Sequence, residues 1–372
     1  MSFRFNFRSQ AIQDVIDAHQ RGEKLTPAGA FTLSGATGTD FFGVLAYADE
    51  ICQSLHRGRV SFVINRNINF TNVCTLQCRF CAFSVPASNQ GAYLLSLEQI
   101  VAKVQEARAA HCTEVCIQGG LHPNVGFDYY LDILRTVKEI GPELHIHAFS
   151  PQEVFYMHQR SGRPLEEVLQ MLRKAGLGSI PGTAAEILVD EVRQKLCPQK
   201  ITTAQWSAII RMAHKLGIPT TSTIMFGSIE TWVERCTHLQ VLRSIQEETR
   251  GFTEFVPLSF INPPNGFRTS NNTPSMGGQD ILKLYAIARI FFHGTIPNIQ
   301  TSWVKLGPQL AQISLQCGVN DFGGTLMEEN ISKSAGAHYG EFLSPETIIQ
   351  YIRSAGKIPY QRSTTYEKLR TF

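Results

Sequence analysis

SFVINRNINFTNVCTLQCRFCAFS, residues 61–84, decides how the rest of the chain reads. Up to Val73 it is rich in Val, Ile, Phe and Thr, the composition of a strand. Directly after it come Cys74, Cys78 and Cys81, spaced C-x3-C-x2-C. A strand running straight into a chemistry-bearing loop is how a β/α barrel builds its site, at the C-terminal ends of its strands.

Outward from this stretch the pattern repeats. TEVCIQGG (113–120), LHIHAFS (144–150), GLGSI (176–180), PTTSTIMFG (219–227), FTEFVPLSFI (252–261) and NIQTSW (298–303) read as further strands, with a weaker one near CGVNDFGG (317–324). Between them lie segments with a helical apolar stripe: 96–111, 128–141, 164–176, 184–196, 202–217 and 230–248. In the first of these the stripe is Leu97, Ile100, Val101, Val104 and Ala107. Strands alternating with helices imply a parallel sheet. The number of units fits an α/β protein of the (β/α)8 TIM type over residues 60–340. Residues 1–59 read as an N-terminal helical extension, with helices from Ser9 to Gln20 and from Asp40 to Arg57 and a Gly- and Pro-rich loop over 26–40 between them. Residues 341–372 read as a helical tail.

Bulk composition narrows the function classes. A hydrophobic fraction of 43% and a charged fraction of 17% suit a folded globular chain rather than a disordered one. A net charge of +3 over 372 residues gives no basis for nucleic acid or a membrane surface as partner. No run of apolar residues is long enough to span a bilayer, and the first residues lack the apolar core of a secretory signal. The nine cysteines are odd in number with one tight cluster, unlike a disulfide framework. Reduced thiols point to the cytoplasm. Cys112 and Cys116 flank or lie on a strand and read as small buried hydrophobes.

The trio at Cys74, Cys78 and Cys81 is different. Three thiolates in so short a stretch wrap one corner of a 4Fe-4S cubane, leaving the fourth iron without a protein ligand and open to a small molecule. Structural zinc would want a fourth ligand, and no second Cys or His pair stands nearby.

The strand ends supply further candidates. Gly119 and Gly120 permit close backbone approach to a ligand, or simply make a turn. His122 follows, facing either a pocket or solvent. Ser150 and Glu153 offer polar groups to a ribose or amino acid, and also read as a capping box. Thr183 and Glu186 stand at a helix start, where capping competes. His145 and His147 share one side of their strand, lining the interior or serving as core histidines. Glu254 sits among apolar residues, so it is either an inward-facing contact or half of a salt bridge. Asn320 opens NDFGG (320–324), a loop placed to close over a substrate.

C-x3-C-x2-C after a first strand, with the aromatic Phe80 before the third cysteine, resembles the radical S-adenosylmethionine (SAM) superfamily. The resemblance implies a 4Fe-4S cluster, SAM bound at its open iron, and a 5′-deoxyadenosyl radical that removes a hydrogen atom from substrate. It assigns Phe80, Gly119, Gly120, Ser150, Glu153 and Gly227 to cofactor binding. It leaves His122, His147, Thr183, Glu186, Glu230, Glu254 and Asn320 as candidates toward substrate. NRNINFTNVC (65–74), HAFSPQEV (147–154), AGLGSIPGTAAEIL (175–188), GIPTTSTIMFG (217–227), GFTEFVPLSFI (251–261) and VNDFGGTLMEENIS (319–332) are similar to a subfamily making deazaflavin and menaquinone precursors.

For the deazaflavin branch the implied reaction takes hydrogen from the amino group of L-tyrosine and breaks its Cα–Cβ bond. The 4-hydroxybenzyl group then joins 5-amino-6-(D-ribitylamino)uracil, with release of 2-iminoacetate, methionine and 5′-deoxyadenosine. A reducing electron donor and a second radical SAM subunit that closes the deazaflavin ring are the implied partners. The alternatives are an aminofutalosine synthase, a futalosine cyclase, or a non-catalytic iron–sulfur carrier. One departure stands out: the subfamily often has Tyr-Gly-His where this chain has Phe226, Gly227 and Ser228.

Overall fold

The computed structural model describes residues 5–76, 78, 80–262 and 276–372. A helical layer comes first: α1 (Gln10–Gln20), α2 (Pro27–Ser34) and α3 (Gly38–His56). Then follow β1 (Arg59–Val63), β2 (Asn65–Ile68), α4 (Leu97–Ala109), β3 (Glu114–Ile117), α5 (Phe127–Ile140) and β4 (His145–Ala148). The middle of the chain forms α6 (Pro151–Ser161), α7 (Leu165–Ala175), α8 (Asp190–Leu196), α9 (Thr203–Lys215), β5 (Thr220–Phe226), α10 (Trp232–Thr249) and β6 (Phe252–Ser259). The last part forms α11 (Gly278–Phe291), α12 (Trp303–Leu306), α13 (Pro308–Ser314), β7 (Asp321–Gly324), α14 (Asn330–Ser334), α15 (Pro345–Ser354), β8 (Ile358–Arg362) and β9 (Lys368–Thr371).

The expected first strand is two short ones, β1 and β2, parted at Ile64. β2, β3 and β4 pair in parallel in that order, and so do β5 and β6. β1 lies between β7 and β8, parallel to both. Single parallel bridges, His147–Ser179, Ile180–Thr220, Phe255–Ile299 and Gln300–Asp321, link these pieces in chain order. The arrangement is barrel-like, but the ladders alone do not make a complete eight-stranded barrel. The fourth expected strand shrinks to Ser179 and Ile180, because Gly176 at φ +119° and the flexible Gly178 leave too short an extended run. The seventh shrinks to Ile299 and Gln300, since α12 begins at Trp303.

Local signals explain most of the helices. Ser96–Gln99, Ser150–Glu153, Thr202–Gln205 and Thr231–Glu234 are full capping boxes that start α4, α6, α9 and α10. The loop expected over 26–40 holds α2 instead: Thr26 caps it, and Pro27 at its first position is compatible with a helix start. The helix expected over 184–196 begins only at Asp190, because Ala184 and Glu186 take left-handed backbone at φ 61° and 42°.

The N-terminal helices are tightly packed. α11, buried throughout Ile281–Phe291, lies against α2 and α3. Its two buried cations find partners: Lys283 donates to the Ser34 carbonyl, and Arg289 to the carbonyls of Gly318 and Pro297 and to Asn320 Oδ1. No helix among the described residues is long and apolar enough to cross a membrane.

The tail is the main departure from expectation. Residues 341–372 are helical only in α15; β8 then joins β1, and β9 folds back antiparallel on β8. This swings Arg362 into the barrel interior, where Nε meets Asp321 Oδ2 at 2.5 Å and Nη2 stands 3.5 Å from Glu254 Oε2. All three are buried. Removing one member of a buried charge group strands the others in low dielectric. Arg362→Met should therefore lower the unfolding free energy by about 3–5 kcal/mol, read by urea denaturation of the protein without cofactors. An unchanged midpoint would remove the ion group from any structural role.

Candidate functional site

The cysteine loop leaves the barrel after β2 and is tied back by its own backbone. Cys74 N donates to Val85 O at 3.1 Å, Thr75 N to Leu121 O at 3.1 Å, Val85 N to Asn72 O at 2.9 Å and Leu95 N to Phe70 O at 2.8 Å. Asn72 adds a side-chain clasp, donating to Gly91 O and accepting from Tyr93 N, each at 2.9 Å. Cys74, Cys78 and Cys81 are all free and half-buried. Gln77 and Arg79 lie outside the described residues.

The paired glycines after β3 exist for close approach. Gly120 N donates to Thr71 O at 2.9 Å, and a Cβ at Gly120 would fall 2.2 Å from the Val73 carbonyl oxygen. A Cβ at Gly119 would fall 2.7 Å from the Phe70 ring. Only glycine lets the two loops touch at these points. The capping residues Ser150 and Glu153 extend the same contact. Glu153 accepts from Ser150 N and Oγ at 2.6 and 2.7 Å, and its other oxygen accepts from Gly119 N at 3.1 Å. One buried carboxylate thus joins the ends of β3 and β4, and burial pushes its pKa up to about 7.

Lys200, which no local pattern in the chain singles out, stands on the other flank of the loop. Its ammonium pairs with the buried Glu186 and lies 5.2 Å from the centre of the Phe80 ring. Its charge also acts on Cys78, whose thiol burial pushes up to about 12 against the pull of Lys200. Glu186 is therefore engaged beside the cysteine loop.

Gly227, at φ +91°, turns the chain after β5 and donates to Glu230 Oε1 at 2.5 Å. Ser228 donates from N and Oγ to Glu230 Oε2 at 2.9 and 2.8 Å, and Arg235 Nε donates to Oε1 at 2.9 Å. Glu230 is thus fully occupied in holding the turn and presents nothing to a substrate. Ser228, in the place of the subfamily's histidine, is part of that clasp.

Inside the barrel lies a partly open cavity of about 170 Å3. Three of the residues expected toward substrate line it: His147, Thr183 and Glu254. His147 shares Ser179 Oγ with His145, at 2.7 and 2.8 Å, and burial pulls its pKa down to about 4, so it is neutral. Glu254 meets Arg362 and the Tyr366 hydroxyl, and burial raises its pKa to about 7 against the pull of Arg362. Both rival readings of Glu254 thus hold: it faces inward and it is ion-paired. His122 lies elsewhere, on a loop, with Nδ1 accepting from Asn124 N. Asn320 is not on a closing loop. It is fully buried, bonded to Arg289, Asn298 and Ile299 N, and NDFGG continues into β7.

Several cavity residues were missed from sequence. Asn65, Asn67 and Asn69 face it from alternate positions, a period-two polar pattern visible in NRNIN. Gln118 and Glu114 on and after β3 had no comparable signal. Arg362 and Thr364 come from a tail expected to be helical.

Among the described residues no group of three Cys, His, Asp or Glu converges as donors to a single ion do. Three separate thiolates on a tied loop fit a cubane, whose ligands bind different irons and so stand farther apart.

Comparison with known proteins agrees with this geometry. Residues 68–242 match the Radical SAM superfamily, and residues 249–371 match the CofH/MqnC C-terminal region. A Methanopyrus kandleri protein named 5-amino-6-(D-ribitylamino)uracil–L-tyrosine 4-hydroxyphenyl transferase is 50% identical over 335 residues, covering 90% of each chain. One of the same name from Archaeoglobus fulgidus is 51% identical over 87% of this chain and 92% of its own. Among solved structures, methylornithine synthase (PylB) superposes with TM-score 0.72 at 16% identity over 92% of this chain and 96% of that one. The [FeFe]-hydrogenase maturase HydG does so with TM-score 0.75 at 16% identity over 95% and 76%. These two share the fold, which is TIM-barrel-like. The chain belongs to the radical SAM superfamily, whose members bind a 4Fe-4S cluster and SAM, and within it to the branch carrying the CofH/MqnC C-terminal region.

Proposed function

We propose that this chain is the transferase that joins the 4-hydroxybenzyl group of L-tyrosine to 5-amino-6-(D-ribitylamino)uracil in deazaflavin cofactor synthesis. The observation that carries the reading is the identity of about half of all residues, across nine-tenths of both chains, to a transferase of that name. The name of the C-terminal region also admits a menaquinone-pathway relative, so substrate choice is what the experiment must decide. In the finer reading the barrel closes with eight strands, the linking bridges standing for the fourth and seventh. The chain works in the cytoplasm with a reducing electron donor and a second radical SAM subunit that takes its product. A net charge of +3 supports neither nucleic acid nor a membrane as partner.

In this reading Cys74, Cys78 and Cys81 hold the cluster. When bound, the cluster and SAM supply a radical able to take a hydrogen atom. The chain's own residues do the rest. The backbone ties from Cys74, Thr75 and Val85 fix the loop on the barrel rim. Phe80 is held under Lys200. Gly119, Gly120, Ser150, Glu153 and Gly227 form the rim that would hold SAM. The cavity orients the acceptor, holding reacting atoms about 3–3.5 Å apart.

Air-free protein given SAM, tyrosine and the ribitylaminouracil should yield the hydroxybenzyl adduct and 5′-deoxyadenosine by mass spectrometry. Stimulation of SAM cleavage only by a futalosine-type substrate would reject the assignment. Cys78→Ala should lose the brown colour and 5′-deoxyadenosine release, while Cys197→Ala, next to Cys78 but outside the trio, keeps both.

Glu153 gives a pH signature. Its carboxyl is raised from 4.5 to about 7 in the folded chain, so the neutral form is favoured there. Its contribution to stability is complete below pH ~4.5 and is lost as pH rises through about 7. Wild type should therefore lose about 3 kcal/mol relative to Glu153→Gln between pH ~5 and ~8. Urea midpoints of the two apo proteins across that range check it, and parallel curves would show that Glu153 is ionised throughout.

A further inference from the structure

The cavity has the usual make-up of a small-molecule site, apolar surface with polar groups set into it. Those polar groups are mainly carboxamides, carboxylates and hydroxyls. On one side Asn69, Asn67 and Asn65 descend in that order from the rim, where the cysteine loop leaves β2, toward the floor. Asn65 is committed, donating to Glu114 and accepting from Leu326 N. Asn69 donates to Gln118 O at 3.2 Å, yet among the described residues its buried Oδ1 has no partner. A buried acceptor left unpaired costs roughly 1–3 kcal/mol, so a donor from outside the chain is the natural completion.

The charges say what kind of donor. Arg362 is the cation in the wall, and Asp321, Glu254 and Gln300 hold its guanidinium. Glu114, Glu254 and Glu329 carry the opposite sign. A ligand carboxylate would find no uncommitted cation there and three carboxylates against it. The other cation nearby is Lys305 on α12, whose neighbouring charges are Glu329, Glu186 and Cys81. Hydroxyls suit the cavity: each donates to a carboxamide or carboxylate oxygen and carries no charge to neutralise.

Resting on the function proposed above, we propose that this cavity is the subsite for the ribityl chain of the acceptor, with Asn69 Oδ1 and the Gln118 side chain accepting from its hydroxyls. Tyrosine, with its carboxylate, stays at the rim near Lys305. The polyol is thus the handle by which the acceptor is selected, and its ring is presented upward to the cysteine loop.

The test crosses a protein change with a substrate change. Two acceptors are compared with air-free, reconstituted enzyme: the ribitylaminouracil, and 5-amino-6-(methylamino)uracil, which keeps the ring and lacks the hydroxyls. Asn69→Ala should raise KM for the ribityl acceptor about 5- to 10-fold while KM for the methylamino acceptor and for tyrosine stays within about twofold. An inhibition constant serves for the analogue if it is not turned over. Gln118→Met should show the same selectivity, and iron content per chain separates either effect from a misassembled cluster. Equal losses on both acceptors, or a rise confined to tyrosine, overturn the subsite. If wild type forms no adduct even with the ribityl acceptor, the function itself is wrong, and the subsite falls with it.

Discussion

A barrel with a polar interior must find a partner for every charge it buries, and Arg362 is where this one does so. Its guanidinium joins Asp321 on β7, Glu254 on β6 and Gln300 on the bridge between them. Coulomb attraction in a low dielectric is strong, but so is the cost of taking each charge out of water. The group is therefore stable only complete. Completing it requires β8 to pair with β1, which makes the C-terminal segment part of the barrel floor rather than an appendage. The polar cavity above stands on that floor.

The cysteine loop solves a different problem. A loop that carries thiolates cannot be anchored by burying them, so the anchors are backbone hydrogen bonds and one close approach. Gly120 lies so near the Val73 carbonyl that no side chain fits between them. Glu153 then fastens the neighbouring strand ends with three accepted hydrogen bonds. Capping chemistry and site geometry here are one feature: the residues that start α6 also set the position of Gly119. Much the same holds after β5, where Glu230 holds Gly227, Ser228 and Arg235 together.

Long helices and central strands were readable because their signals are local. The stripe in α4, the capping boxes of α9 and α10, and the β-branched and aromatic runs of β5 and β6 each follow from neighbouring residues. The reading failed where backbone geometry overrode pattern. Ala184 and Glu186 look helical but take left-handed conformations, and the Pro27 and Gly29 stretch looks like loop but forms α2. Of the residues expected toward substrate, His147, Thr183 and Glu254 line the cavity. Glu230 and Asn320 looked equivalent in sequence, but their side chains are committed to Arg235 and Arg289.

By itself the sequence determined the cluster motif, the strand–helix rhythm and the family, because each is written in spacing between near neighbours. Tertiary structure decided what lines the cavity and what holds Lys200 beside Cys78. Those depend on residues far apart in the chain, such as Arg362 and Asp321 or Asn65 and Leu326, and on whether a polar atom's hydrogen bonds are already taken. No local pattern records that; only the packed chain, where each buried donor has met its acceptor or been left waiting for one, does.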